Sequence, residues 1–233
     1  SSAAAEGRTH KFILGNAILD HEVTITGLPI NNTLIVSATF GTLTVSLDAS
    51  LNPAPQTYVK GTTNRLFTAL KFATVATEGV RVTKLKLKLN NGNGSVTDIS
   101  NITLWDGSTQ IAGPASVIGS YVTFGSNTIG WDSTGLFDIP VSSNKTIQIK
   151  ADIPSGATTG HTVDLDIAAV TDIWADGLTS QYDLPSGNII LVSGDGNLHT
   201  IAASGSLTIS KSNESPTPQL YVKGSIGQEF LRF

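Results

Sequence analysis

Acidic side chains offer the clearest chemistry in this chain. Asp164 and Asp166 are two residues apart in Thr162-Val163-Asp164-Leu165-Asp166-Ile167, so on a strand they share one face. Asp172, Asp176 and Asp183 follow in a Gly-containing stretch between Thr171 and Gly187. Carboxylates and loop carbonyls are hard oxygen donors, and Ca²⁺ takes about six to eight such oxygens. The five aspartates together are a candidate calcium site, without an EF-hand or a Gly-rich nonapeptide pattern. No other cofactor is required by any motif in the chain. The competing reading pairs Asp164 and Asp166 across a sheet with the lysines of Lys84-Leu85-Lys86-Leu87-Lys88. Such pairs contribute a few tenths of a kcal/mol, roughly 0.2 to 1. The lysines themselves read as charges that deter stray sheet pairing.

Trp105, Trp131 and Trp174 each stand beside or near an aspartate, at Asp106, Asp132 and Asp176. A ring next to a carboxylate can stack on a sugar, so the three are candidate glycan contacts. The competing reading, and the one the residues favour, is packing, since Trp buries a large apolar area and keeps one polar handle. The four histidines, His10, His21, His161 and His199, lack the close spacing of a metal motif. No Gly-x-Ser-x-Gly elbow is present, and Glu is scarce. The chain is therefore expected not to be an enzyme. A hydrolase reading would need His161 or His199 in a pocket beside a Ser and an Asp.

These side chains must be positioned by strands. Leu85, Leu87 and Leu89 alternate with lysines, and Ile147, Ile149, Ala151 and Ile153 alternate with polar residues. Val163, Leu165 and Ile167 alternate with Thr162, Asp164 and Asp166. Period two with one apolar face predicts half-buried strands. Val80 and Val82 are out of phase with Leu85, which predicts a bulge near Thr83. Turn signals recur at short intervals, as in Asn90-Asn91-Gly92, Asp106-Gly107 and Gly194-Asp195-Gly196. No sustained helical period is present. The expected fold is an all-β, Ig-like antiparallel β-sandwich.

The chain also repeats itself. Gly41-Thr42-Leu43-Thr44-Val45-Ser46 matches Gly205-Ser206-Leu207-Thr208-Ile209-Ser210. Tyr58-Val59-Lys60-Gly61 recurs as Tyr221-Val222-Lys223-Gly224, and Leu70-Lys71-Phe72 resembles Leu231-Arg232-Phe233. The expected organisation is one complete repeat, 41–204, flanked by partial ones. Residues 1–40 end a preceding repeat or form a strand-exchange segment. Residues 205–233 open a following repeat or act as a donor segment. Leu207, Ile209, Leu220 and Val222 are the candidate assembly residues. A β domain cut short leaves open edges that another unit must cover. That unit is a neighbouring repeat of the same chain or an identical subunit donating strands.

Composition agrees with this picture. The 233 residues include no Cys and no Met, so disulfides and thiolate zinc sites are excluded, and the chain reads as processed or as part of a longer one. Hydrophobic residues make up 39%, enough for a core, and charged ones only 14%. A net charge of −4 gives no electrostatic footprint for nucleic acid. No apolar run approaches the ~20 residues that span a bilayer as a helix.

The unit resembles the tandem Ig-like repeats of long bacterial and archaeal cell-surface proteins. The resemblance rests on Gly41 to Ser46, Leu70-Lys71-Phe72, Val82-Thr83-Lys84-Leu85, Ser100-Asn101-Ile102-Thr103-Leu104-Trp105-Asp106-Gly107 and Lys145-Thr146-Ile147-Gln148-Ile149-Lys150-Ala151-Asp152-Ile153. It implies an extracellular structural protein of a stalk, surface layer, adhesin or filament, with no catalytic residue. The alternative function is an adhesion module that binds glycan or a surface partner.

Overall fold

The computed structural model describes residues 40–90, 92–126, 129–203 and 208–233. These fall into a unit ending at Ala202 and a unit Ala203–Phe233. The expected preceding segment, 1–40, lies outside the described residues apart from Phe40.

The first unit is an all-β sandwich of two sheets. Its described strands are β1 (Leu43–Leu47), β2 (Thr57–Val59), β3 (Arg65–Thr74), β4 (Val80–Asn90), β5 (Ser100–Asp106), β6 (Thr109–Ala115) and β7 (Tyr121–Gly125). β8 (Phe137–Ile139), β9 (Asn144–Asp152), β10 (Thr162–Asp166), β11 (Ile173–Gly177), β12 (Ile189–Leu191) and β13 (His199–Ala202) follow. Helical structure among the described residues is limited to two single 3₁₀ turns, Val170–Asp172 and Ser186–Asn188. One sheet runs β12-β1-β3-β9-β5-β6. The other runs β11-β4-β10-β13-β2, with β7 and β8 also on β4.

Most strand pairs are antiparallel, as expected, and two parallel pairs make the sheets mixed. β1 pairs β12 in parallel, and β2 pairs β13 in parallel. A parallel pair needs a long crossover. Here it is supplied by nearly the whole unit, because the opening strands lie beside the closing ones.

Both sheets contribute to one core. Phe67, Leu70 and Phe72 of β3, Leu85 and Leu87 of β4, and Ile147 and Ile149 of β9 are fully buried. Each such side chain contributes about 1.5–3 kcal/mol by leaving water. Phe72 meets Phe137 of the opposite sheet edge-on, with centroids 5.1 Å apart. The alternations predicted for β4 and β9 match their burial patterns.

The bulge predicted near Thr83 is present. Opposite β11 the register passes from Lys84 to Val82 and skips Thr83. On the other flank β7 pairs with Lys84 to Lys88, and β8 takes over at Val80 to Val82. The changeover requires Gly125, whose φ is +77° and whose added Cβ would collide with the Thr83 carbonyl oxygen. β4 is therefore paired on both flanks, so its lysines do not guard a sheet edge.

In the second unit, residues 208–233 form turns and bends and no strand. Arg232 ties the unit locally. Its amide NH donates to Ser215 Oγ, its carbonyl accepts from Ser212, and its guanidinium binds Glu229 and Glu214. Tyr221 and Phe230 stack with centroids 5.1 Å apart.

Candidate functional site

Strand β10 carries Asp164 and Asp166, and both are buried, at 1% and 5% exposure. This corrects the reading of a solvated face paired with lysines. In register Asp166 lies opposite Lys88 and Asp164 opposite Asn90. Among the described lysines, Lys86 instead pairs with Asp172, at 3.5 Å.

The β12–β13 loop covers that face of β10. Gly194 accepts from the Ile167 amide at 2.9 Å, and the Gly196 NH donates to Asp166 Oδ1 at 2.7 Å. Both glycines sit too close for a side chain. A Cβ on Gly194 would meet the Ile167 carbonyl at 2.5 Å, and one on Gly196 would meet Thr68 Oγ1 at 2.6 Å. Between them, exposed Asp195 reaches the same place. One carboxylate oxygen from each of Asp164, Asp166 and Asp195 lies within 4.8 Å of the others.

The electrostatics of this trio are unfavourable as they stand. Asp164 Oδ1 is buried and has no hydrogen-bond partner. Burial, then the charges of Asp166 and Asp195, pushes the Asp164 carboxyl far above its ordinary range. Burial also raises Asp166, against the opposing pull of the Gly196 NH and the Asn90 amide. Such a group needs a proton or a cation.

The other predicted aspartates lie elsewhere. Asp172 ends a 3₁₀ turn and accepts from the Ala169 amide at 3.2 Å. Asp176 and Asp183 face each other as a bridge and line a cleft of about 340 Å³. The cleft is lined mainly by apolar residues, among them Ile173, Leu184, Ile189 and Trp174. Asp176 Oδ2 accepts from the Asp132 NH at 2.8 Å, and both Asp183 oxygens accept from the Gly130 NH. Burial is the main cause that raises the Asp176 pKa to about 6. The five aspartates are thus split among three places. Asp195 was missed because its distance in sequence from β10 hides the approach. Its flanking glycines were the available signal.

The tryptophans do not form one groove. Trp105 is half-buried, donates to Thr103 Oγ1 at 2.9 Å, and lines a shallow groove with Asn101, Gln110 and Asp152. Trp174 lines the cleft beside Asp176 and Asp183. Trp131 lines neither. Each ring carries a cation: Lys150 lies 4.4 Å from Trp105, Arg81 4.7 Å from Trp131, and Lys84 5.2 Å from Trp174.

Two histidines have structural partners. His199 accepts from the Gln56 NH at Nδ1, faces the Phe67 carbonyl through Nε2 at 3.0 Å, and packs on Tyr58 and Phe67. His161 Nδ1 lies 2.6 Å from Asp98 Oδ2.

The candidate assembly residues are exposed. Leu220 is fully exposed, and Ile209 and Val222 are largely so. Leu207 lies outside the described residues. Their sequence counterparts in the first unit behave oppositely. Val45, the counterpart of Ile209, is at 0%, and Leu70 and Phe72 are buried while Leu231 and Phe233 are exposed.

No family model and no curated protein matches this chain. Among solved structures it is similar to the seventh ScaB type I cohesin from Pseudobacteroides cellulosolvens. Identity there is 14%, over 73% of this chain and 99% of that one, with a TM-score of 0.31. It is also similar to a family 123 glycoside hydrolase from Clostridium perfringens, at 12% identity over 70% of this chain and 27% of that one, TM-score 0.32. The PapD-like domain 7 of human CEP192 gives 10% identity over 78% and 99%, TM-score 0.23. Among the described residues no helix is long and apolar enough to cross a membrane.

Proposed function

We propose that this chain is an extracellular structural protein whose β-sandwich units join into an extended surface array, with strands of the 205–233 segment completing a sheet of another unit. The observation that carries this reading is the burial contrast between matching sequences. Val45, Leu70 and Phe72 form core where β1 and β3 have partner strands. Their counterparts Ile209, Leu231 and Phe233 are exposed where no strand forms. A sequence that forms strands beside partners, repeated without them, fits pairing with a neighbouring repeat or an identical subunit. A head-to-tail contact of that kind does not close, so it extends.

Immunogold electron microscopy of the native surface material tests this, with antibody raised against the chain. Label repeating along fibres or a lattice supports the reading. Label found only on dispersed secreted protein overturns it.

Adhesion is a second reading, and the cleft lined by Trp174 together with Asp176 and Asp183 favours it. Glycan-array binding that is lost in Trp174→Ala would establish it. Absence of binding by the wild-type chain would remove it.

A further inference from the structure

We infer that Asp164, Asp166 and Asp195 bind one calcium ion, which pins the β12–β13 loop to strand β10. The inference does not depend on the array reading.

Three observations support it. First, the donors are all carboxylate oxygens, with neither His nor Cys in the cluster, which selects a hard cation. Second, the oxygens lie within 4.8 Å of one another. No pair is then too far apart to share one ion at about 2.4 Å, the calcium–oxygen distance, and three carboxylates suit calcium, whereas magnesium is usually held by one or two. Third, Asp164 Oδ1 is buried without a partner.

The third observation separates this cluster from other buried acids of the unit. Glu78 accepts from the amides of Gly41, Thr179 and Ser180 and from the Ser180 hydroxyl. Asp98 accepts from the Ser95 and Thr158 amides and meets His161. At β10 the protein supplies Gly196 NH and the Asn90 amide to Asp166, and leaves the Asp164 oxygen unpartnered. Two positive charges placed among three carboxylates remove most of their repulsion. Exposed Asp195 leaves the ion an entry path and room for water ligands.

The consequence is mechanical. Asp195 belongs to the loop that enters β13, and β13 pairs with both β10 and β2. An ion there clamps the last strands of the sandwich to β10.

The test uses the full chain, stripped with EDTA and dialysed. Isothermal titration with CaCl₂ should show one equivalent bound. Saturating CaCl₂ should raise the melting temperature by about 5 °C, the size expected when ligand is in roughly hundredfold excess over Kd. Both effects should vanish in Asp195→Asn, which alters an exposed side chain and leaves folding intact. Both should persist in Asp183→Asn, in the other acidic cluster. A proton shared between Asp164 and Asp166 is the rival explanation, and it predicts no calcium binding by the wild-type chain. That result, or full calcium response retained in Asp195→Asn, would overturn the inference.

Discussion

Two acidic clusters occupy the same unit and solve the same problem differently. Around the cleft, Asp132, Asp176 and Asp183 are held by the chain's own donors. Asp132 Oδ1 takes the Thr134 amide and hydroxyl, Asp176 takes the Asp132 amide, and Asp183 takes the Gly130 amide. Arg81 lies beside them, donating to the Asp132 carbonyl and pairing with Asp138 at 2.6 Å. Around β10, the trio of Asp164, Asp166 and Asp195 leaves one buried oxygen without a donor. The difference teaches that burial alone does not mark a site. A carboxylate met by amides is a structural strut, whereas one left short of donors is a place for a ligand.

The comparison is most sharply tested by removing a strut. Asp98→Ala should destabilise the unit by about 3 kcal/mol, because the Ser95 and Thr158 amides and His161 lose their acceptor. Urea denaturation at neutral pH measures this. Asp164→Asn should behave oppositely in EDTA at pH 8, stabilising by about 1–2 kcal/mol as like charges are relieved. Adding calcium should reverse the ranking of wild type and variant. If Asp164→Asn were as costly as Asp98→Ala in EDTA, the two kinds of buried acid would be the same.

A smaller effect is a pH dependence in the cleft cluster. The folded pKa of Asp176 is raised to about 6, so the folded state holds its proton more tightly than the unfolded chain. Its stabilising contribution is complete below the unfolded value near 3.8 and is lost as pH rises through about 6. The groups facing it are Asp183, Asp132 and Arg81. Between pH 4 and 6, wild type should lose about 1 kcal/mol relative to Asp176→Asn, allowing for solvent screening. Parallel denaturation curves of the two proteins across that range would deny the role of Asp176.

The smallest effect lies outside both clusters. Lys86 sits 3.7 Å from the Tyr121 ring centroid and 3.5 Å from Asp172. Lys86→Gln should cost about 0.5–1 kcal/mol, independent of calcium. A calcium-dependent cost would mean that the β4 face and the trio are coupled.

Much of the scaffold was legible. The Leu/Lys alternation of β4, the isoleucines of β9 and the phase break at Thr83 are local patterns, and local backbone geometry enforces them. The bulge follows from counting alone, since two apolar phases on one strand need an extra residue between them. The site was half legible. Asp164 and Asp166 share a face because the side-chain period of a strand is two. What lies over that face is decided by a loop far along the chain, and no spacing rule reports it. Asp172 is close in sequence to Asp176 and Asp183 yet parted from them for the same reason: it ends a 3₁₀ turn, while those two face each other across a bridge.

By itself, the sequence determined an all-β chain with three apolar strand faces and a repeated opening segment. These are properties of alternation and self-similarity, set residue by residue. Only the tertiary structure decided that two strand pairs run parallel, that the polar face of β10 is buried, and that Asp195 completes a trio there. Those outcomes depend on long-range closure, where a glycine loop can approach because it has no side chain in the way. The same closure separates Val45 from Ile209: one sequence becomes core beside partner strands, and its copy stays exposed without them.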